Sequence, residues 1–127
     1  MIAFIVVVGV VFSLISSRSS STAAIPATVS EADGYGIVLN PEKSPTIDVY
    51  LDYQCVACKY FEIINGGYLN EVIAQKKAKV VFHPMTFIGP ESVLAANAAA
   101  CAADENEFVD MNLALFQNQA DQSNTGK

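Results

Sequence analysis

The sequence is short of positive charge. Lys and Arg number 7 against 13 Asp and Glu, a formal net charge of −6. Nucleic-acid binding wants a basic face, so that class of function is excluded. The one lysine cluster, Gln75-Lys76-Lys77-Ala78-Lys79, reads as the solvated end of a helix, where cations complement the dipole. No internal repeat is present, and 127 residues bound the chain to one domain at most. Cysteine is scarce, with three residues, and no glycine-rich knuckle surrounds them as in a zinc ribbon. Proline stops at Pro90.

What is present centres on residues 46–64. Ile47, Val49 and Leu51 alternate with Asp48, Tyr50 and Asp52, the pattern of a strand. Cys58, Phe61 and Ile64 then recur at helical spacing, so a helix is expected to begin near Cys55. The pair Cys55-x-x-Cys58 therefore falls where a strand turns into a helix. The first helical turn has N–H groups without intrahelical partners and carries the positive end of the dipole. A thiolate placed there is stabilised. Cys55 can attack a disulfide, and Cys58, one turn on, can resolve the mixed disulfide.

Taken in order, residues 1–15 are almost wholly apolar. As a helix they would span about 22 Å, short of the roughly 30 Å hydrocarbon core. We read residues 1–17 as a transmembrane signal-anchor, 18–35 as a flexible linker and 36–127 as the folded domain. Arg18 alone would place that domain in the cytoplasm by the positive-inside rule. An oxidising role requires the opposite, so the expectation is a longer protein with basic residues upstream. Residues 36–39 read as a short edge strand, and 80–82 as a strand paired with 46–52 in a βαβ unit. Asn65-Gly66-Gly67 is expected to break or kink the first helix. Gly89-Pro90 marks a second helix with Leu94, Ala98 and Cys101 on one face. Asp104-Glu105 opens a third, with Val109, Leu113 and Phe116 inward and Phe108 and Leu115 beside them.

The run Asp52-Tyr53-x-Cys55-x-x-Cys58-Lys59-x-Phe61-Glu62 resembles the active site of DsbA-like proteins of the thioredoxin superfamily. The likeness continues through residues 79–85 and into the alanine-rich helix around Cys101. It implies an α/β, thioredoxin-like fold and a thiol:disulfide oxidoreductase, with Cys55 and Cys58 catalytic and no cofactor or metal. Its expected partners are secreted or cell-envelope proteins bearing thiols and a membrane redox partner that recycles the disulfide. Its expected location is the cell membrane, with the domain on the extracytoplasmic side. The family also has a later hairpin, a final helix and a cis proline facing the disulfide. None of Pro26, Pro41, Pro45, Pro84 and Pro90 fits that proline, so the chain is expected to hold the first half of the domain and the start of a helical insert. The resemblance further implies that Cys101 pairs with a cysteine beyond Lys127.

Other readings of the same residues stay open. Cys55, Cys58, His83 and Cys101 would make a Cys₃His zinc set, and a Cys-x-x-Cys-plus-His pattern suits a copper carrier. His83 reads as a strand-end residue with a satisfied ring. Asp48 or Asp52 is placed to take the proton of the resolving thiol, or is a solvated or hydrogen-bonded carboxylate. Lys59 and Glu62 tune the field around the pair. Tyr53, Tyr60 and Phe61 read as packing residues, with Tyr53 a possible border of a substrate groove. Within the fold, a disulfide reductase or isomerase is the alternative to an oxidase.

Overall fold

The computed structural model describes residues 24–120. The expected membrane segment, residues 1–17, lies outside them. Among the described residues no helix is long and apolar enough to cross a membrane.

Four strands form one sheet: β1 (Ala27–Ser30), β2 (Gly36–Leu39), β3 (Thr46–Leu51) and β4 (Lys79–Pro84). Their spatial order is β1-β2-β4-β3. β1 and β2 pair antiparallel, as do β2 and β4. β3 and β4 run parallel, with Val49 opposite Phe82, as the βαβ reading expects. The connecting helix α1 (Val56–Ala74) is followed, after β4, by α2 (Pro90–Asp104) and α3 (Phe108–Gln117).

Strand alternation decides what the helices cover. Val49 and Leu51 of β3, Val80 and Phe82 of β4, and Ile37 and Leu39 of β2 join one core with Leu69, Val72 and Ile73 of α1. Phe108 and Phe116 of α3 close it. Phe82 and Phe108 meet with ring centroids 4.9 Å apart, tilted by 57°. Asn40, with φ of 54°, turns the chain out of β2. Its side-chain amide donates to the Ile73 carbonyl at 2.8 Å, which ties that turn to the end of α1.

Several local readings are corrected. β1 lies inside the stretch expected to be linker and pairs with β2, which makes β2 an interior strand rather than an edge. All four β2 residues are buried. β1 has a weak sequence signature because only Ala27 of its four residues is fully buried. α1 runs unbroken through Asn65-Gly66-Gly67. Gly66 is a packing glycine: a Cβ there would run into the Glu62 carboxylate. The helix absorbs the cost of about 1 kcal/mol per glycine, and at Gly66 the missing Cβ makes room for the buried Glu62 side chain one turn earlier.

The expected buried faces are rotated. Ile64 is 74% exposed and Phe61 is exposed, while Glu62, Gly66, Leu69, Val72 and Ile73 face the core. On α2 the buried residues are Ser92, Ala99, Ala102 and Ala103, with Leu94 and Cys101 exposed. Asp104 ends α2 instead of opening α3. On α3, Phe108 is fully buried and Leu113 exposed. Alanine-rich helices offer two or more plausible stripes, and the large apolar residues of this chain do not all point inward.

Candidate active site

Cys55 is the N-cap of α1, in extended conformation with φ −78° and ψ 119°. Its Sγ accepts the backbone N–H of Cys58 at 3.4 Å. A sulfur therefore takes the place that a Ser or Asp oxygen usually holds at this position, satisfying one of the orphan donors. No acidic residue occupies the first turn to oppose a negative charge. The main chain around Cys55 is fixed on both sides. Its N–H donates to the Asp52 carbonyl at 2.9 Å. Its carbonyl accepts from Lys59 N–H at 3.1 Å and from the Gln119 amide at 3.0 Å. The same Gln119 nitrogen donates to the Tyr53 carbonyl at 2.7 Å.

Both thiols are free and half-buried. Cys58 packs against the core. Burial pushes its thiol up, a backbone hydrogen bond from Asp52 pulls it down, and the Cys55 sulfur and Asp52 charge push it up further. The pair is thus asymmetric: the Cys55 sulfur accepts the Cys58 N–H at the helix N-cap, while the Cys58 sulfur packs against the core, where burial pushes its thiol up. An apolar cleft of about 490 Å³ runs along β3 past this inner sulfur, lined by Ile47, Leu51, Ala57, Cys58, Phe61 and Phe116.

The two candidate acids separate. Asp48 is half-exposed and pairs with His83 Nε2 at 2.9 Å. The His83 ring stacks on Tyr50 at 4.3 Å, so its ring is satisfied, as expected. Asp52 is 1% exposed, which places it inside rather than on the polar side of the strand. Its Oδ1 accepts from Gln54 N–H at 2.9 Å and Ser92 Oγ at 2.7 Å. Its Oδ2 accepts from Phe87 N–H at 3.2 Å and Ile88 N–H at 3.3 Å. Four donors thus end on this one carboxylate and tie the turn before α1 to the loop after β4.

Tyr53 is buried; its hydroxyl donates to Asn112 Oδ1 at 3.1 Å and its ring meets Phe116 at 5.0 Å. Burial pushes this phenol up. Tyr60 and Phe61 are exposed and are not the packing residues expected. Ser92, Gln54, Asn112 and Gln119 complete the site without a sequence signal, because each reaches it from a distant or unpatterned position. Among the described residues no three His, Cys, Asp or Glu side chains are grouped as a metal ion requires. Cys101 is exposed rather than on an apolar face.

Glu62 is 6% exposed. Burial pushes its carboxyl above the usual range, partly offset by a hydrogen bond with Asn112. The native state then binds this proton more tightly than the unfolded chain, whose glutamate titrates at about 4.3. Stability is full below that value and falls as pH rises toward the native midpoint. Glu62→Gln removes this titration and keeps the hydrogen bond. Urea midpoints from about pH 4 to about pH 8 are expected to decline less in Glu62→Gln than in the parent. Equal slopes would contradict the assignment.

A family model described as "Thioredoxin" matches residues 32–127. Two solved structures are similar. The thiol-disulfide exchange protein alpha-DsbA2 from Wolbachia pipientis has 22% identity and a TM-score of 0.54 over 91% of this chain and 57% of that one. The catalytic domain of Proteus mirabilis ScsC has 21% identity and a TM-score of 0.53 over 83% of this chain and 53% of that one. The chain thus spans a little over half the length of both. No curated protein sequence matches it. With a strand-turn-helix carrying Cys55 and Cys58 on a mixed sheet, and a family match over most of its length, this chain belongs to the thioredoxin family.

Proposed function

We propose that the chain carries the catalytic half of a DsbA-like thiol:disulfide oxidoreductase, with Cys55 the nucleophile and Cys58 the resolving thiol. The observation that carries this is the Cys55 Sγ at the helix N-cap, accepting the Cys58 N–H. A substrate thiolate attacks Cys55 of the Cys55–Cys58 disulfide. The new bond joins substrate sulfur to Cys55, and Cys58 leaves with the electron pair and takes a proton. A second substrate thiolate then attacks the substrate sulfur of the mixed disulfide, releasing Cys55 as a thiolate and the substrate as a disulfide.

The substrates in this reading are thiol-bearing secreted or envelope proteins. The domain sits on the extracytoplasmic side of the cell membrane, held by residues 1–17, and a membrane redox partner restores the disulfide. The redox-type spacing of Cys55 and Cys58, which suits an oxidising compartment, and the apolar N-terminal run of the sequence support this placement.

The test is to mix the oxidised 127-residue chain with a reduced dithiol peptide and count thiols on both by mass. Transfer of one disulfide to the peptide, with two thiols gained by the chain, is expected. Zinc or copper bound stoichiometrically after purification, with no transfer, would sink the redox reading.

A further inference from the structure

We propose that the exposed face of α1 is a membrane-contact surface, which rests on the lipid headgroups beside the N-terminal tether and holds the Cys55–Cys58 pair at the bilayer. This rests on the anchoring of residues 1–17 proposed above and adds an orientation to it.

A surface helix normally turns its polar side outward. From Val56 to Tyr68, α1 does the reverse. Glu62, Gly66, Leu69, Val72 and Ile73 face the core. Val56, Tyr60, Ile63, Ile64 and Tyr68 lie at i, i+4, i+7, i+8 and i+12, on the side away from it. They are between 42% and 74% exposed. An apolar stripe about 18 Å long at 1.5 Å per residue marks a contact surface rather than scattered exposure. The exposed acid of α1, Glu71, comes after Tyr68 and stands 4.0 Å from Lys77.

The position of the tether decides what covers this face. Ala24, the first residue described, lines one depression with Ile73, Ala74 and Lys76 at the C-terminal end of α1. Ala74 is exposed and follows Val56 by five full turns at 3.6 residues per turn, so it continues the stripe. Residues 18–23 join the apolar run to Ala24, and even fully extended they reach at most about 25 Å. A bilayer that holds residues 1–17 therefore stays within about one helix length of this end of α1. The chemistry of the face suits such a surface. Tyr60 and Tyr68 have the apolar ring and polar hydroxyl that are enriched at bilayer interfaces. Ile63 and Ile64 lie between them and meet the acyl boundary, while Lys59, Lys76 and Lys77 extend to anionic headgroups. A substrate polypeptide has the cleft along β3, beside the Cys58 sulfur, and does not need this face. Cys55 immediately precedes the stripe, at the end far from the tether. The exchange site then stands at headgroup level, within reach of a membrane redox partner.

The chain has no tryptophan, so one introduced indole reports on one place. The full 127-residue chain carrying Ile64→Trp or Tyr35→Trp is reconstituted in vesicles of phosphatidylethanolamine and phosphatidylglycerol, with or without bromine on the acyl chains. Tyr35 is also exposed, but it lines a cavity with Tyr50 and His83 on the sheet face away from α1. Ile64→Trp is expected to lose about half of its emission to brominated lipid, and Tyr35→Trp less than about a tenth. Tyr60→Trp takes its place if Ile64→Trp does not fold. Vesicle-bound protein whose Ile64→Trp emission is unquenched, or quenched no more than that of Tyr35→Trp, overturns the inference. Blue-shifted but unquenched emission would assign the stripe to a protein partner, such as a second copy, and overturns it equally. A chain that washes off the vesicles overturns the anchoring, and this inference with it. Disulfide transfer to the dithiol peptide, measured on the same samples, tests the proposed chemistry separately from all of these outcomes.

Discussion

Cys55→Ser is expected to abolish disulfide exchange, by at least about a thousandfold, because it removes the attacked and attacking sulfur itself. Cys58→Ser is expected to behave differently. It keeps the sulfur at the helix N-cap, so Cys55 can still attack a disulfide-bearing substrate, one substrate sulfur leaving as a thiolate, but no neighbouring thiol can release the adduct by closing the ring. A covalent adduct between Cys55 and substrate should accumulate and be visible on non-reducing gels. The difference follows from position. Cys55 is capped by a backbone N–H and braced through its carbonyl, whereas Cys58 lies against the core with burial raising its thiol. Alkylation at mildly acidic pH should accordingly label Cys55 before Cys58. Accumulation of the adduct in Cys55→Ser instead would reverse the assignment of the two roles.

Phe108→Ala is expected to cost about 3–5 kcal/mol. Phe108 is 0% exposed and packs its ring on Phe82, the residue opposite Val49 of β3. Small domains are stable by only about 5–15 kcal/mol, so this one truncation consumes a large share of the margin. Urea unfolding should show a lowered midpoint at similar slope. A loss under about 1 kcal/mol would mean that α3 is not anchored on the sheet as described. Leu113→Ala on the same helix, on its exposed side, is a suitable control and is expected to change little.

These two residues also mark what a linear reading can and cannot see. The strand-turn-helix around Cys55 is local: alternation in residues 46–52, then helical spacing, then two cysteines at the junction. Every part of that signal lies within one stretch, and the structure places the N-cap where the spacing does. The parallel partner strand was legible for the same reason, as an apolar run one helix away. The facing of the helices was not. Ile64 and Leu94 are apolar and exposed, whereas Glu62, Ser92 and Asn112 are polar and buried. Hydrophobicity orders them wrongly, because the buried polar groups are satisfied by partners far along the chain, which no periodicity encodes. Ser92 meets Asp52 across 40 positions, and Asn112 meets Tyr53 across 59. Gly66 misled for a related reason. Glycine in a helix signals a break when read alone, yet here the missing Cβ is the space into which a glutamate folds.

The bond from Gln119 to the Cys55 carbonyl closes a loop of 64 positions. Closing a loop of that size has an entropy cost that local turns do not, so such contacts tend to form after the nearby ones. A ribosome releasing this chain would expose Cys55 and Cys58 well before Gln119 emerges. During that interval the turn lacks its outer brace, and the fully braced nucleophile exists only once α3 has docked.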